Sequence, residues 1–321
     1  RETVKIILPG AERVLDQPRA ICDYEGTSYR ARFWEGQGRE YEDLAERIAL
    51  RRLLPPGGRR ILEIGAGFGR LTDLYAGYEQ IILLDYAKSG LREAQQRLGR
   101  SGKFVYVAAD LYQLPLAPGA CDTVVTVRVL HHLIDVPAAF RGIHNVLRPG
   151  GAYILEYANK RNLKSIARYL LRRQSWSPFA GEPYEFVPLN FDFHPRWMAE
   201  KLAGAGLIVE DGLAVSHFRS PLFKRLVSPR LLAAADGALQ RVGAAWKLTP
   251  SVFLRTRAQG GGAVAGLMPG HGVFACPACR SPRLEEQGAT LVCQGCSAVW
   301  GIDDGIYDFK TPVKAPTGPR E

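Results

Sequence analysis

Two kinds of hydrophobic pattern alternate along the middle of the chain. Short apolar runs predict buried strands, and apolar residues that recur every three to four positions predict helices. Strands are predicted at 60–64, 81–85, 104–109, 123–127, 152–157, 207–209 and 251–257, and helices at 41–54, 70–78, 91–98, 137–147 and 195–205. This alternation is typical of an α/β domain with a doubly wound, mostly parallel sheet. In the helix 41–54, we expect Leu44, Ile48, Ala49, Leu53 and Leu54 to form the buried face.

Two longer segments interrupt the alternation, 159–194 and 216–250. The first opens with a predicted amphipathic helix over 160–173, and the second is largely helical in pattern. The predicted helix has an apolar stripe (Leu163, Ile166, Ala167, Leu170, Leu171) and six basic residues (Lys160, Arg161, Lys164, Arg168, Arg172, Arg173). Its basic face could bind an anionic acceptor or nucleic acid, or it could lie on a membrane surface. We favour a solvated face, followed by a lid over an acceptor pocket.

Composition is that of a globular protein, with 46% hydrophobic and 23% charged residues. The formal net charge of +10 favours anionic partners, although a composition rich in arginine codons accounts for it equally well. No apolar run approaches the roughly 18 residues that span a bilayer, and residues 1–10 lack the pattern of a secretory signal. We therefore expect a cytoplasmic protein without an integral membrane segment.

A glycine-rich turn follows the first strand of the α/β pattern. Residues 61–70 read ILEIGAGFGR, an apolar strand that runs into three spaced glycines and a predicted helix. Glycines let a ligand approach the backbone, and a helix N-terminus offers N–H groups to anionic ligand atoms. Arg70 stands where the dinucleotide fingerprint requires glycine, so the pattern indicates a nucleotide-like ligand of another kind.

Three carboxylates accompany this turn. Glu63, two residues before the first glycine, suits a ligand that carries an ammonium group. Asp85 ends the second strand, where a carboxylate can accept hydrogen bonds from both ribose hydroxyls. Asp110 follows the third strand, where it can accept from an adenine amino group.

With these residues the chain resembles the class I methyltransferases, most of all the broad group that acts on small molecules and quinones. The resemblance covers about residues 40–258 and includes the motifs at 109–111, 114–115, 129–133 and 147–151. It implies a Rossmann-like, seven-stranded, mostly parallel sheet and S-adenosylmethionine as cofactor. Gly65, Gly67 and Gly69 would pass beneath the methionine part, Glu63 would lie near its ammonium group, Asp85 would hold the ribose, and Asp110 with the Leu111 backbone would hold the adenine.

The resemblance extends the expected cofactor site to less specific positions. Arg128 follows the fourth strand, where the family lines the cofactor pocket, and Arg39 or Tyr41 would close over the cofactor. The full expected set is Arg39, Tyr41, Glu63, Gly65, Ala66, Gly67, Gly69, Asp85, Tyr86, Asp110, Leu111 and Arg128.

Methyl transfer needs in-line approach of the acceptor and a base only when the acceptor carries a proton of high pKa. The candidate catalytic residues are His131, His132 and His194. Histidine pairs at this place also order the loop through hydrogen bonds, and we favour that role. His194 precedes Pro195 and could instead cap a helix, while Tyr157, Tyr184 and Asn190 could line an acceptor cavity.

Two Cys-x-x-Cys knuckles stand near the C-terminus. Cys276, Cys279, Cys293 and Cys296 have the spacing of a closed, structural Zn²⁺ site, which we favour over a redox pair. Residues 273–310 resemble the small zinc-ribbon activator of tRNA and protein methyltransferases, which binds its enzyme in trans. This chain would carry such a ribbon in cis.

The expected organisation is an N-terminal extension (1–40), a methyltransferase domain (41–258) whose inserts 159–194 and 216–250 cap the acceptor, a glycine-rich linker (259–272), the zinc ribbon (273–310) and a tail (311–321). The leading hypothesis is methyl transfer to a small-molecule or lipid-like acceptor. An RNA methyltransferase, with the ribbon aiding RNA binding or stability, and a non-catalytic scaffold are the alternatives. RNA and a peripheral membrane contact stay open as partners, and the sequence does not define the oligomeric state.

Overall fold

The structure is a computed structural model that describes residues 5–7, 21–27, 30, 34, 36–260 and 272–317. The expected extension 1–40 and linker 259–272 lie largely outside these residues, as does the end of the tail 311–321. The chain divides into two compact units. Unit one comprises 1–54, 126–137 and 154–256, and unit two comprises 55–125, 138–153 and 257–321.

Fifteen strands and seven α-helices are defined within the described residues. The strands are β1 (Lys5–Ile7), β2 (Ile21–Asp23), β3 (Gly58–Ile64), β4 (Tyr78–Asp85), β5 (Phe104–Ala108), β6 (Cys121–Thr126), β7 (Leu147–Ala158), β8 (Tyr184–Val187), β9 (Asn190–Asp192), β10 (Leu207–Val215), β11 (Ser251–Ala258), β12 (Leu284–Gln287), β13 (Thr290–Cys293), β14 (Val299–Asp303) and β15 (Ile306–Asp308). The helices are α1 (Glu40–Leu53), α2 (Lys88–Leu98), α3 (Val136–Val146), α4 (Leu163–Leu170), α5 (Pro195–Gly204), α6 (Pro221–Leu226) and α7 (Pro229–Gly243). No described helix has the length and apolar character required to cross a membrane.

Unit two contains a Rossmann-like sheet. Its strands lie in the order β7-β6-β3-β4-β5, and the β3–β4 and β4–β5 pairs are parallel. The centre of β4, Ile81–Leu84, is fully buried, as expected for a parallel strand covered on both faces. The predicted mostly parallel α/β fold is confirmed. Strand β7 begins at Leu147, five residues before the start predicted for this strand.

The C-terminal ribbon extends this sheet. Strands β12 to β15 form an antiparallel meander, and β15 pairs in parallel with β5, with Tyr307 opposite Val107. The Phe309 N–H continues the ladder to the Ala108 carbonyl (2.8 Å). Because β5 would otherwise be an edge strand, the ribbon covers backbone groups that would have no partner in the sheet.

Unit one contains β7 from Ile154 onward, in the order β10-β11-β7, together with both inserts. The first insert holds α4 and the β8–β9 hairpin, and the second holds α6 and α7. Ser220 and Ser228 cap the last two helices, each followed by proline at the first helical position.

Three predicted helices differ from the observed ones. The segment 70–78 contains only a short 3₁₀ turn, Thr72–Tyr75, so no α-helix N-terminus follows the glycine turn. The helix predicted at 160–173 is shortened to α4. The buried face of α1 is shifted by about one residue from the predicted one and includes Glu42 and Glu46, whose charges are paired across unit one.

Candidate functional site

The glycine turn after β3 has a backbone that only glycine adopts easily. Gly65, Gly67 and Gly69 have φ angles of 74°, 51° and 71°, in the left-handed region. The N–H groups of Gly65 and Ala66 both donate to the Leu84 carbonyl, at 2.8 and 3.1 Å. The turn is therefore fixed to the end of β4.

Helix α2 packs directly on this turn. A Cβ added to Gly90 would lie 3.1 Å from the Gly67 carbonyl carbon and 3.2 Å from its Cα. This close approach requires glycine at position 90, which the sequence analysis did not single out. The signal is a glycine in the first turn of a helix, where alanine would favour helix formation.

Asp85 connects the turn with α2. Its Oδ2 accepts from the Gly67 N–H (2.7 Å) and its Oδ1 accepts from the Ala87 N–H (2.9 Å). An ionised carboxylate has about four acceptor positions, so both oxygens can also accept from hydroxyl groups of a ligand. The observed bonds orient the carboxylate beside the glycine turn.

Glu63 is the most perturbed carboxyl group near the turn. It is buried, and its Oε2 has no hydrogen-bond partner among the described residues. Burial raises its pKa to about 8, although the positive charge of Arg70 lowers it. A buried carboxylate oxygen without a partner fits a ligand that brings a cation.

Asp110 and its neighbours follow β5. The Asp110 Oδ1 caps a short 3₁₀ turn by accepting from the Tyr112 N–H (2.9 Å), and Leu111 is 8% exposed. The Ala109 N–H donates to the Asp85 carbonyl (3.1 Å), which connects the ends of β4 and β5. Glu63, Asp85 and Asp110 therefore lie at the carboxyl ends of three adjacent parallel strands, the edge at which such sheets bind ligands.

The ribbon holds the Asp110 segment from both sides. Beyond the ladder to Ala108, the Ala117 N–H donates to Val273 and the Ala275 N–H donates to Pro115, both at 3.0 Å. Side chains add ion pairs between α2 and the ribbon: Lys88 with Asp308 (2.9 Å) and Arg92 with Asp303 (2.7 Å). The Lys310 ammonium lies 4.9 Å from the centre of the Tyr86 ring, beside Asp85.

The four ribbon cysteines converge on one point. Their sulfur atoms all lie within 4.8 Å of one another, with 3.8 Å between Cys276 and Cys296 and 3.5 Å between Cys279 and Cys293. All four are free thiols. A tetrahedral Zn²⁺ with Zn–S bonds of about 2.3 Å would separate its ligands by about 3.8 Å, so the cluster fits this metal.

In unit one, Arg128 is held by two acidic residues. Its Nε donates to Glu46 Oε1 (2.8 Å), its backbone N–H donates to Glu156 Oε2 (3.0 Å), and its guanidinium lies 5.0 Å from the Trp34 ring centre. Glu156 also accepts from the Ser251 hydroxyl (2.6 Å). The Arg128 backbone has a φ of 59°, which is unusual for a non-glycine residue.

Sequence reasoning missed Glu46 and Glu156. Glu156 lies in the otherwise apolar run 153–157, and a carboxylate inside a buried strand is a signal that could have found it. Glu46 gave no such signal, because polar residues are common on a helix and its burial depends on which face packs.

The histidine pair lies on a short 3₁₀ turn, Leu130–His132. The His132 Nδ1 lies 3.0 Å from the Leu189 carbonyl and must donate to it, so Nε2 is the acceptor for the Tyr24 hydroxyl at 3.1 Å. Burial lowers the pKa of both histidines, that of His131 well below its ordinary value. Both rings are therefore neutral at pH 7, and the bonds of His132 order the loop.

Three other predicted site residues of unit one, His194, Tyr41 and Arg39, have structural partners or positions of their own. The His194 Nδ1 accepts from the Arg196 N–H (3.2 Å) and caps α5. Nε2 then carries the proton of the neutral ring, and the basic lone pair on Nδ1 is engaged by the start of the helix. Tyr41 is 1% exposed; its hydroxyl donates to Asp236 (2.5 Å) and accepts from the Phe218 N–H (2.9 Å). Arg39 lies at the N-cap of α1 and is half-buried.

Unit one also contains a cavity of about 1030 Å³ between the two inserts. Most of its lining surface is apolar, but polar and apolar residues contribute to the wall in about equal numbers, and the charged ones include Asp192 and Arg219. Burial raises the pKa of Asp192 to about 6, against the lowering effect of Arg219. The wall does not include Tyr157, Tyr184 or Asn190, which sequence reasoning offered as cavity residues. A cavity of this size accommodates a drug-sized or longer apolar ligand.

Comparison with known proteins bears on unit two above all. Residues 62–155 match a family model described as a methyltransferase domain. The chain is 31% identical over 183 residues to a "probable S-adenosylmethionine-dependent methyltransferase" of Mycolicibacterium smegmatis, a match that covers 55% of this chain and 60% of that protein. It is 29% identical over 153 residues to a ubiquinone/menaquinone biosynthesis C-methyltransferase of Pseudomonas putida, covering 43% of this chain and 60% of the relative.

The chain thus spans about 60% of the length of these two relatives. Among solved structures, an S-adenosylmethionine-dependent methyltransferase from Mesorhizobium loti is similar, with a TM-score of 0.48 and 21% identity. That match covers 68% of this chain and 99% of the solved one.

Proposed function

We propose that this chain, whose residues 62–155 match a methyltransferase-domain family model, is a class I S-adenosylmethionine-dependent methyltransferase that transfers a methyl group to a small, lipid-like acceptor bound between its two inserts. The observation that carries the acceptor class is the cavity of about 1030 Å³, whose lining surface is mostly apolar. The similarity to a quinone C-methyltransferase supports the same class of acceptor.

The residues around the glycine turn fit the cofactor. S-adenosylmethionine supplies a methyl group already activated on a sulfonium sulfur. Asp85 is positioned to accept hydrogen bonds from the ribose diol, and the unpartnered Oε2 of Glu63 would balance the ammonium charge. Asp110 and the Leu111 backbone would hold the adenine. Ala66, between the glycines, and Tyr86, after Asp85, complete the proposed pocket, and Arg39, Tyr41 and Arg128 stay predictions.

The proposed reaction does not rely on a strong general base. The depressed pKa values of His131 and His132 make both imidazoles weak bases, and His194 is used as a helix cap. We therefore propose that His132 positions the loop through Tyr24 and Leu189. An acceptor carbon or heteroatom that is nucleophilic without strong base assistance suits such a site.

We also propose that the ribbon binds Zn²⁺ through Cys276, Cys279, Cys293 and Cys296 and stabilises the cofactor site in cis. The support is the geometry of the sulfur cluster and the bonds that the ribbon makes on both sides of Asp110. Zinc would contribute by folding the ribbon, since four protein ligands leave no open coordination position.

The test has two stages. Calorimetric titration with S-adenosylmethionine should show micromolar binding that Asp85→Asn weakens and that Asp73→Asn, an exposed carboxylate in the same unit, leaves unchanged. A screen of quinones, phenols and lipid-like acceptors should then give turnover, and Val242→Arg in the cavity wall should raise KM for the acceptor without changing cofactor affinity. Turnover of RNA, with none of the apolar acceptors methylated, would replace this proposal with the RNA alternative.

A further inference from the structure

Exposed apolar side chains are concentrated on the two inserts. Of the seventeen large hydrophobic residues that are exposed in the described part of the chain, fourteen lie within 159–194 or 216–250. The most exposed among them are Leu226 (73%), Leu170 (69%), Leu231 (65%), Leu163 (63%) and Leu171 (63%). Single exposed leucines need no explanation, but a concentration of this kind marks an interaction surface.

Helix α4 shows that this exposure is built into the fold. Its one buried residue is Ser165, whereas Leu163 and Leu170 point to solvent. The helix is nevertheless fixed, because Asn162 caps it and the Leu163 N–H donates to the Leu248 carbonyl (2.9 Å). A helix in a protein that stays in water would bury its apolar stripe and expose only its polar face.

Basic residues predominate around these leucines, and the exposed carboxylates of the inserts, Glu182 and Glu185, lie at the start of the β8–β9 hairpin. Between residues 160 and 181 there is no acidic residue, and between 212 and 250 the only one is Asp236, which is fully buried. Exposed cations lie among the exposed apolar residues: Lys164, Arg168, Arg172, Arg173, Arg219, Arg225 and Arg230. Leucine and phenylalanine interleaved with arginine and lysine are characteristic of segments that lie in the headgroup region of a bilayer.

The same two inserts border the cavity. Leu163, Phe186, Val242 and Trp246 are each about half or more exposed, and each also lines the cavity wall. The apolar surface therefore continues from the outside of both inserts into the space assigned to the acceptor.

We propose that the two inserts form a docking surface for an anionic lipid bilayer, from which an apolar acceptor enters the cavity. The delivery of an acceptor rests on the proposed function, whereas the docking itself does not. A second copy of this chain is a poor occupant, because a twofold contact would bring like cations together. A nucleic acid would pair with the cations but would leave the leucines exposed to water.

The test is sedimentation with vesicles, in the absence of any acceptor. The full chain should bind vesicles of phosphatidylcholine mixed with phosphatidylglycerol and should bind phosphatidylcholine alone far more weakly. The double variant Leu170→Glu, Leu171→Glu should reduce binding by roughly tenfold or more, since it puts charge where apolar side chains enter the interface. Val313→Glu is the matched control, because Val313 is 72% exposed but lies outside both inserts, in the segment that follows the ribbon.

Three results would overturn the docking surface. The wild-type chain could fail to bind anionic vesicles, or Val313→Glu could reduce vesicle binding as much as the double variant does. The third is a dimer in light scattering that the double variant dissociates. Calorimetric titration of the same proteins with S-adenosylmethionine distinguishes this from the proposed function. If the double variant binds the cofactor normally but no longer binds vesicles, the docking surface is supported whether or not an acceptor has been found. If vesicles bind but no acceptor is methylated, the proposed function fails alone.

Discussion

We expect Glu63 to make binding of the proposed cofactor depend on pH. Its carboxyl group is buried with a pKa of about 8, so it is largely protonated at pH 6 in the ligand-free protein. A cationic ligand group is paired only by the ionised form. Cofactor binding should therefore release a proton from Glu63, and protons should compete with the cofactor as the pH falls.

The magnitude follows from the pKa. Two pH units below this pKa, about 1% of the Glu63 carboxyl groups are ionised. The affinity for the cofactor should then be roughly a hundredfold weaker than that of the fully ionised form, or about 2.7 kcal/mol. Above pH 8 the ligand's own α-amino group, with a pKa of about 7.7–8.0, loses its charge. Affinity for S-adenosylmethionine should therefore rise from pH 6, pass through a maximum near pH 8 and fall again.

Calorimetric titrations in buffers of different ionisation enthalpy measure both the affinity and the protons released. Glu63→Gln should bind more weakly at pH 8 and lose most of the rise between pH 6 and 8. Stability gives an independent readout: a pKa raised on folding means that the contribution of Glu63 to stability is lost as the pH rises from about 5 through 8. The stability of Glu63→Gln relative to the wild type should therefore increase over that range. A flat affinity profile in the wild-type protein, or the same profile in Glu63→Gln, would refute the reasoning.

Three further predictions concern other parts of the molecule. Asp85→Asn should weaken S-adenosylmethionine binding by about 1.5–3 kcal/mol through lost charge-assisted bonds, and calorimetry that finds equal loss in Asp73→Asn would contradict a specific role. Cys279→Ser should abolish stoichiometric zinc binding, measured by elemental analysis. It should also weaken cofactor binding, because the ribbon holds the Asp110 segment. Unchanged cofactor affinity in zinc-free protein would show that the ribbon does not stabilise the cofactor site. Arg128→Met leaves Glu46 buried without its partner and should lower the free energy of unfolding by about 3–5 kcal/mol in urea titrations, whereas Glu46→Leu added to it should recover part of the loss.

Local sequence predicted the glycine turn and the cysteine cluster. Three glycines with positive φ, acidic residues at the ends of successive strands, and paired Cys-x-x-Cys knuckles are chemical requirements of short segments. Such requirements appear in the sequence because few residue types satisfy them. The alternation of strands and helices likewise predicted the parallel sheet, since its buried strands are nearly continuous apolar runs.

Tertiary structure decided what depends on contacts between distant segments. Which face of α1 is buried depends on partners such as Arg128 for Glu46 and Lys224 for Glu42, far away in sequence. The pairing of β15 with β5 has no sequence signal, because a strand edge accepts any backbone. Helix α4 is the clearest case: its amphipathic pattern was visible, but the sequence could not show that its apolar stripe faces outward. Periodicity defines two faces of a helix, and only the packing of the rest of the chain determines which of them meets water.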